Sequence, residues 1–84
     1  MADVIVYSKA TCPYCDWAKA LLKKHNIVYT EIRIDLDPEQ AQAMITLTGR
    51  RTVPQIIIKG QPIGGFDDLS VLERSGELAR LLAS

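Results

Sequence analysis

Residues 4–15 read VIVYSKATCPYC: a β-branched and aromatic run, a short polar loop, then two cysteines separated by Pro13 and Tyr14. Val4, Ile5, Val6 and Tyr7 are apolar without a break, the pattern of a strand covered on both faces. From Pro13 the period changes. Ala18, Leu21 and Leu22 recur at helical spacing, while Asp16, Lys19, Lys23 and Lys24 fall on the side that faces water. Proline suits the first helical position, because its missing N–H would have no partner there. Cys12 therefore falls at the N-cap. Lysines in the last turn and Asn26 beyond it end the helix.

Outward from this strand–loop–helix unit the remaining elements follow in order. Ile27–Tyr29 and Ile32–Ile34 read as a second strand. Asp37-Pro38-Glu39-Gln40 is a helix start, with Asp as cap, Pro at the first helical position and Gln three residues after the cap. That helix runs through Ala41, Ala43, Met44 and Leu47 and stops at Gly49. Gln55–Ile58 and Gln61–Ile63 are short strands about a Lys59-Gly60 turn, a hairpin. Asp67 or Asp68 caps a helix holding Leu69, Val71 and Leu72, and Ser75-Gly76-Glu77 restarts a last one through Leu78, Leu81 and Leu82. The order is βαβ, α, ββα and a C-terminal helix. A βαβ unit implies a parallel pair with a right-handed crossover, and the hairpin adds antiparallel strands. The fold class expected is α/β, a three-layer sandwich on a small, four-stranded mixed sheet.

Composition narrows the function classes. At 84 residues the chain is read as one domain, 1–84, and 48% apolar residues suffice for a core. Ten basic and ten acidic residues cancel, so nothing points to nucleic acid. The N-terminus lacks a charged leader followed by an apolar run, and no apolar stretch is long enough to span a membrane. The expectation is a soluble, cytoplasmic protein with no membrane or nucleic-acid partner.

That compartment bears on the cysteines. A bridge across two residues closes a tiny loop and removes little unfolded-chain entropy, and a reducing cytosol would not keep it as a staple. Tetrahedral zinc needs four donors. The only other soft ligand is His25, at the far end of the same helix and on the order of 15 Å away at about 1.5 Å per residue; it is more simply a C-terminal helix residue complementing the dipole. A reactive dithiol remains. At the N-cap, the Cys12 sulfur can accept the orphan N–H groups of Tyr14 and Cys15, and the helix dipole favours an anion at the same end. Lys9 lies three residues before. Cys12 is thus the expected nucleophile, with a depressed pKa. Cys15, in the first turn and turned toward the core, suits resolution of a mixed disulfide.

With CPYC at residues 12–15, Thr52-Val53-Pro54, and Gly64-Gly65-Phe66-Asp67-Asp68, the chain resembles the glutaredoxins over nearly its whole length. The resemblance implies the thioredoxin fold in its minimal form and a glutathione-dependent thiol–disulfide oxidoreductase. Glutathione is then the reductant, and the partners are disulfide-bonded or glutathionylated proteins met by a monomer. It also implies a glutathione site. Lys9 matches the family lysine that faces the glycine carboxylate, and Tyr14 the tyrosine beside the sulfur. Val53, held extended before Pro54, can offer its backbone N–H and C=O to the cysteinyl part as a one-residue strand pair. By family analogy the Val53–Pro54 bond is cis, and Thr52 helps place the loop. Gly64-Gly65 permits close backbone approach. The amides at Phe66, Asp67 and Asp68 can bind the γ-glutamyl carboxylate, while an Asp carboxylate meets the ammonium. Arg50 and Arg51 flank the groove.

Two departures matter. Phe66 stands where some family members carry another cysteine, which removes regulation through such a thiol. Trp17 follows the cysteine pair, whereas thioredoxins carry a tryptophan before theirs. A binding module with a [2Fe–2S] cluster shared between two subunits is the alternative function. Pro13 argues against it, since members with proline there mostly do not assemble clusters, and no metal is expected.

Overall fold

In a computed structural model the described residues are Asp3–Ala83. Strand β1 (Val4–Ser8) leads into helix α1 (Pro13–Lys24), followed by β2 (Tyr29–Arg33) and α2 (Pro38–Thr48). The hairpin β3 (Gln55–Ile58) and β4 (Gln61–Gly64) follows, then α3 (Phe66–Ser75) and α4 (Glu77–Ala83). The sheet order is β2-β1-β3-β4. β1 runs parallel to β2 and antiparallel to β3, and β3 to β4 is antiparallel. The four-stranded mixed sheet expected from the sequence is the one observed.

The pleat of β1 explains why its apolar run is unbroken. Val4 and Val6 point into a core with Ala18 and Leu22 of α1, Leu69 of α3 and Leu78 of α4. Tyr7 points the other way, toward Met44 of α2 and Ile57, with Ile5 packed alongside. Both faces are therefore covered, giving three layers. Each aliphatic side chain removed wholly from water in this way contributes about 1.5–3 kcal/mol.

Three strand boundaries differ from the expectation, and Ile34, expected within β2, lies beyond its end at Arg33. β2 starts at Tyr29, because pairing begins where Val4 meets Tyr29; Val28 is left 77% exposed. Ile27 lies past the end of α1 and closes it, its N–H donating to the Leu22 carbonyl at 2.9 Å. β4 also extends to Gly64, one residue beyond Ile63. The start of α2 is as expected, with the Asp37 carboxylate accepting the Glu39 N–H at 3.0 Å. His25 is the C-cap of α1, and its ring Nε2 lies 2.9 Å from the Glu73 carboxylate of α3.

A polar tie fastens α1 to the sheet. Lys19 Nζ lies 2.8 Å from Glu31 Oε2, which also accepts the hydroxyl of buried Ser8 at 2.6 Å. The Lys19 hydrogen bond is the main cause holding the Glu31 carboxyl below its ordinary range, and the same bond raises Lys19. A lowered carboxylate contributes stability above its unfolded pKa and loses it as pH falls through the folded one. A raised ammonium contributes below its unfolded pKa and loses it as pH rises through the folded one. The tie thus operates across the neutral range. The pair is partly screened by water, so Lys19→Met should cost about 1 kcal/mol at pH 7. In urea melts that gap should narrow below about pH 4; a gap that is constant down to pH 2 would contradict the assignment.

Candidate active site

The loop between β1 and α1 delivers Cys12 to the end of the helix. Cys12 is the N-cap in extended conformation (φ −125°, ψ 98°), and the Cys15 N–H points at its Sγ at 3.2 Å. Its carbonyl accepts the Asp16 N–H at 3.1 Å. Of the two amides expected at the sulfur, that of Cys15 makes the contact. Cys12 and Cys15 are joined as a disulfide, their Cα atoms 5.2 Å apart. Both residues are buried, Cys15 the more completely, at 1% exposure against 7%.

The loop before Cys12 holds what the sequence did not reveal. Thr11 has φ 56°, a left-handed conformation uncommon for a β-branched residue. On its N-terminal side, the Ala10 N–H donates to Asp35 Oδ2 at 3.2 Å. Asp35 is itself gripped by a two-pronged bond from Arg33, at 2.7 and 2.6 Å. That guanidinium, with the Ala10 amide in support, holds the Asp35 carboxyl well below the usual range. The anchor reaches across 25 positions of sequence, and strain beside a reactive residue is sustained only where surrounding contacts over-determine it.

Beside the cysteines runs a groove of about 250 Å³, lined by Tyr14, Arg50, Thr52, Val53, Pro54, Gln55, Gly65, Phe66, Asp67 and Asp68. Thr52, Val53, Pro54, Gly65, Phe66, Asp67 and Asp68, expected from the sequence, are among them, and Tyr14 joins them from α1; Gly64 is not. Cys12 Sγ lies 4.0 Å from the Val53 carbonyl oxygen, so the sulfur sits at the edge of this groove. The Val53–Pro54 bond is cis, as expected from the resemblance. Buried Gln55 braces the loop by donating its amide to the Thr52 carbonyl at 3.0 Å and hydroxyl at 3.3 Å. Lys9 is exposed and is not among the lining residues, nor is Arg51. Arg50 lines the groove and pairs with Asp68 at 3.6 Å.

The entry to α3 corrects one expectation. Its N-cap is Gly65, not Asp67 or Asp68, because Phe66 is already helical. Asp68, at the third helical position, reaches back to accept the Gly65 N–H at 3.1 Å. That leaves Asp67, at the second position, facing the groove without a capping duty. Gly64 is required here. Its φ of 121° suits glycine alone, and a Cβ on it would collide with the Asp68 carboxylate.

A strand-end helix cap carrying a dithiol, a cis-proline loop and a glycine-led helix start thus converge on one groove. A family model described as Glutaredoxin matches residues 4–63. The chain belongs to the glutaredoxin family. Glutaredoxin 3 of Escherichia coli K12 is 49% identical over 82 residues, covering 98% of this chain and 99% of that one. The glutaredoxin of Pseudomonas aeruginosa PAO1 is 43% identical over 84 residues, end to end in both. Among solved structures, a buckwheat glutaredoxin–glutathione complex superposes with a TM-score of 0.88 at 33% identity, covering 96% of this chain and 76% of that one. Glutathione-dependent thiol–disulfide oxidoreduction is the general activity of glutaredoxins, and the fold is the thioredoxin fold they share. Among the described residues, no helix is long and apolar enough to cross a membrane, and no cluster of three or more His, Cys, Asp or Glu side chains could hold a metal.

The N-cap geometry carries a prediction of its own. In the reduced protein the Cys15 amide and the end of α1 should stabilise a Cys12 thiolate, placing its pKa below the roughly 8.5 of a free thiol. Iodoacetamide alkylation rate against pH reports it. A midpoint at or above the free value would remove the N-cap as the source of reactivity.

Proposed function

We propose that Cys12 is the nucleophile and Cys15 the resolving thiol of a monomeric, single-domain, cytoplasmic oxidoreductase, which binds glutathione in the groove lined by Val53, Gly65 and Asp67. The observation that carries this reading is the Cys12 sulfur at the helix cap, 4.0 Å from the Val53 carbonyl at the edge of that groove. Val53 would pair with the cysteinyl part of glutathione through its backbone. The amides that open α3 would take the γ-glutamyl carboxylate. Asp67, free of capping, is the better candidate for the ammonium; Asp68 shapes the helix start and neutralises Arg50. Tyr14 and Phe66 would wall the sulfur end, with Thr52 and Pro54 holding the loop. Lys9 and Arg50 are the candidate cations for the glycine carboxylate, of which Arg50 has the support of lining the groove.

The chemistry follows from these roles. Cys12 thiolate attacks the glutathione sulfur of a glutathionylated protein; that S–S bond breaks and the protein thiol leaves. A second glutathione thiolate then attacks the Cys12 mixed disulfide, yielding oxidised glutathione and restoring the Cys12 thiolate. On a protein disulfide, Cys12 attacks one sulfur and the other leaves as a thiol. Cys15 thiolate then attacks Cys12 Sγ, which releases the second substrate thiol and forms the Cys12–Cys15 bridge, the state described above. Two glutathiones reduce that bridge. Each step is one thiolate displacing another, with no metal and no nucleic acid involved.

A coupled assay tests the reading: glutathione, glutathione reductase and NADPH on the mixed disulfide of glutathione with 2-mercaptoethanol. NADPH oxidation that requires both the protein and glutathione is expected. Activity that instead needs thioredoxin reductase and ignores glutathione would overturn it.

A further inference from the structure

Three aromatic rings cluster beside the cysteines, and the glutathione groove accounts for only two of them. Tyr14 and Trp17, one helical turn apart on α1, meet edge to face at 4.9 Å between centroids. Phe66 of α3 closes the triangle at 6.2 Å from Tyr14 and 5.8 Å from Trp17. Tyr14 and Phe66 line the groove, whereas Trp17 lies outside it. Tyr14 is 53% and Trp17 52% exposed. Rings held together but left half in water are the usual anchors of a binding partner.

We propose that Tyr14, Trp17 and Phe66 form a docking platform for an Arg or Lys side chain that neighbours the modified cysteine of the substrate polypeptide. The proposal rests on the function above: with glutathione seated in the groove, the polypeptide half of the disulfide must leave Cys12 elsewhere, and the platform continues from the groove wall. The charge around it selects the occupant. Asp16 adjoins Trp17 in sequence with its carboxylate 73% exposed. Lys19 engages it only at 3.6 Å, being held closer, at 2.8 Å, by Glu31. Arg50, the one cation among the described residues that line the groove, is paired with Asp68. Electron-rich ring faces with an exposed carboxylate on the same helix turn attract a cation and repel an acid, and tryptophan is the best such ring.

The experiment compares three glutathionylated peptides, identical except for Arg, Leu or Glu beside the cysteine, with the 2-mercaptoethanol mixed disulfide as the small substrate. Wild type should turn over the Arg peptide with a kcat/KM about fivefold above Leu, with Glu slowest. Trp17→Ala should remove the Arg advantage while leaving the small substrate unchanged, and Asp16→Asn should narrow the Arg–Glu gap. Trp17→Leu, which keeps apolar bulk without the ring electrons, should behave like Trp17→Ala and serves if the alanine variant is unstable. Equal rates on Arg and Leu, a preference for Leu, or an Arg preference that survives loss of Trp17 would each overturn the platform. A wild-type protein inert on the small substrate would overturn the function itself, and the platform with it.

Discussion

Replacing Cys12 by Ser is expected to abolish reduction of both protein disulfides and glutathione mixed disulfides, by roughly a thousandfold or more, equivalent to about 4 kcal/mol of barrier. Serine is itself a favoured N-cap residue, so the helix start should persist and the loss should be chemical. A hydroxyl at neutral pH offers almost no anion, and no neighbouring histidine stands ready to activate it. Cys15→Ser should behave differently. The dithiol route needs Cys15 to free the mixed intermediate, so protein-disulfide reduction should collapse. Deglutathionylation does not need it, because the second glutathione is the incoming thiol, and without a competing internal bridge its rate should hold or rise. Assaying both variants on a glutathionylated peptide and on a disulfide-bonded protein separates the roles. If folded Cys15→Ser is as inactive as Cys12→Ser on the glutathionylated peptide, the division of labour is wrong.

The second large effect is expected at the start of α3. Asp67→Ala should raise the apparent KM for a glutathionylated substrate about tenfold, in keeping with about 1.5 kcal/mol for a hydrogen bond to a charged group. Thermal stability and Cys12 ionisation should stay near wild type. Asp68→Ala should also weaken binding but lower the melting temperature, because it strips the Gly65 N–H of its acceptor and leaves Arg50 unpaired. The contrast is diagnostic: if Asp67→Ala lowers stability and spares KM, it is a structural residue and the γ-glutamyl end lies elsewhere.

What the sequence made legible was largely local. The unbroken Val4–Tyr7 run announced a central strand, Pro13 fixed the start of α1, and together they placed Cys12 at a helix cap before any contact was known. The groove residues were legible through the three motifs and the family they resemble. What stayed hidden depends on partners distant in the chain. Nothing beside Thr11 signals its left-handed backbone, because the contact anchoring its neighbour Ala10 comes from Asp35, on the far side of β2. Gln55 reads as an ordinary strand opener until burial turns its amide onto Thr52. Asp67 and Asp68 are adjacent acids that composition cannot tell apart; only the position of Phe66 in the helix decides which one reaches back to the Gly65 N–H. Trp17 reads in the sequence only as a tryptophan placed after the cysteine pair, and its meaning emerges when α3 brings Phe66 against it.

In the function proposed for this chain, the groove seats the glutathione half of a mixed disulfide, so that Cys12 attacks the glutathione sulfur and ejects the polypeptide. The most direct measurement uses the Cys15→Ser variant, which cannot resolve the product internally. The reduced variant is mixed with one equivalent of glutathionylated peptide, quenched in acid within seconds and examined by intact and fragment mass spectrometry. One glutathione on Cys12 and free reduced peptide in solution are expected. Peptide attached to Cys12, with glutathione released instead, would contradict that function.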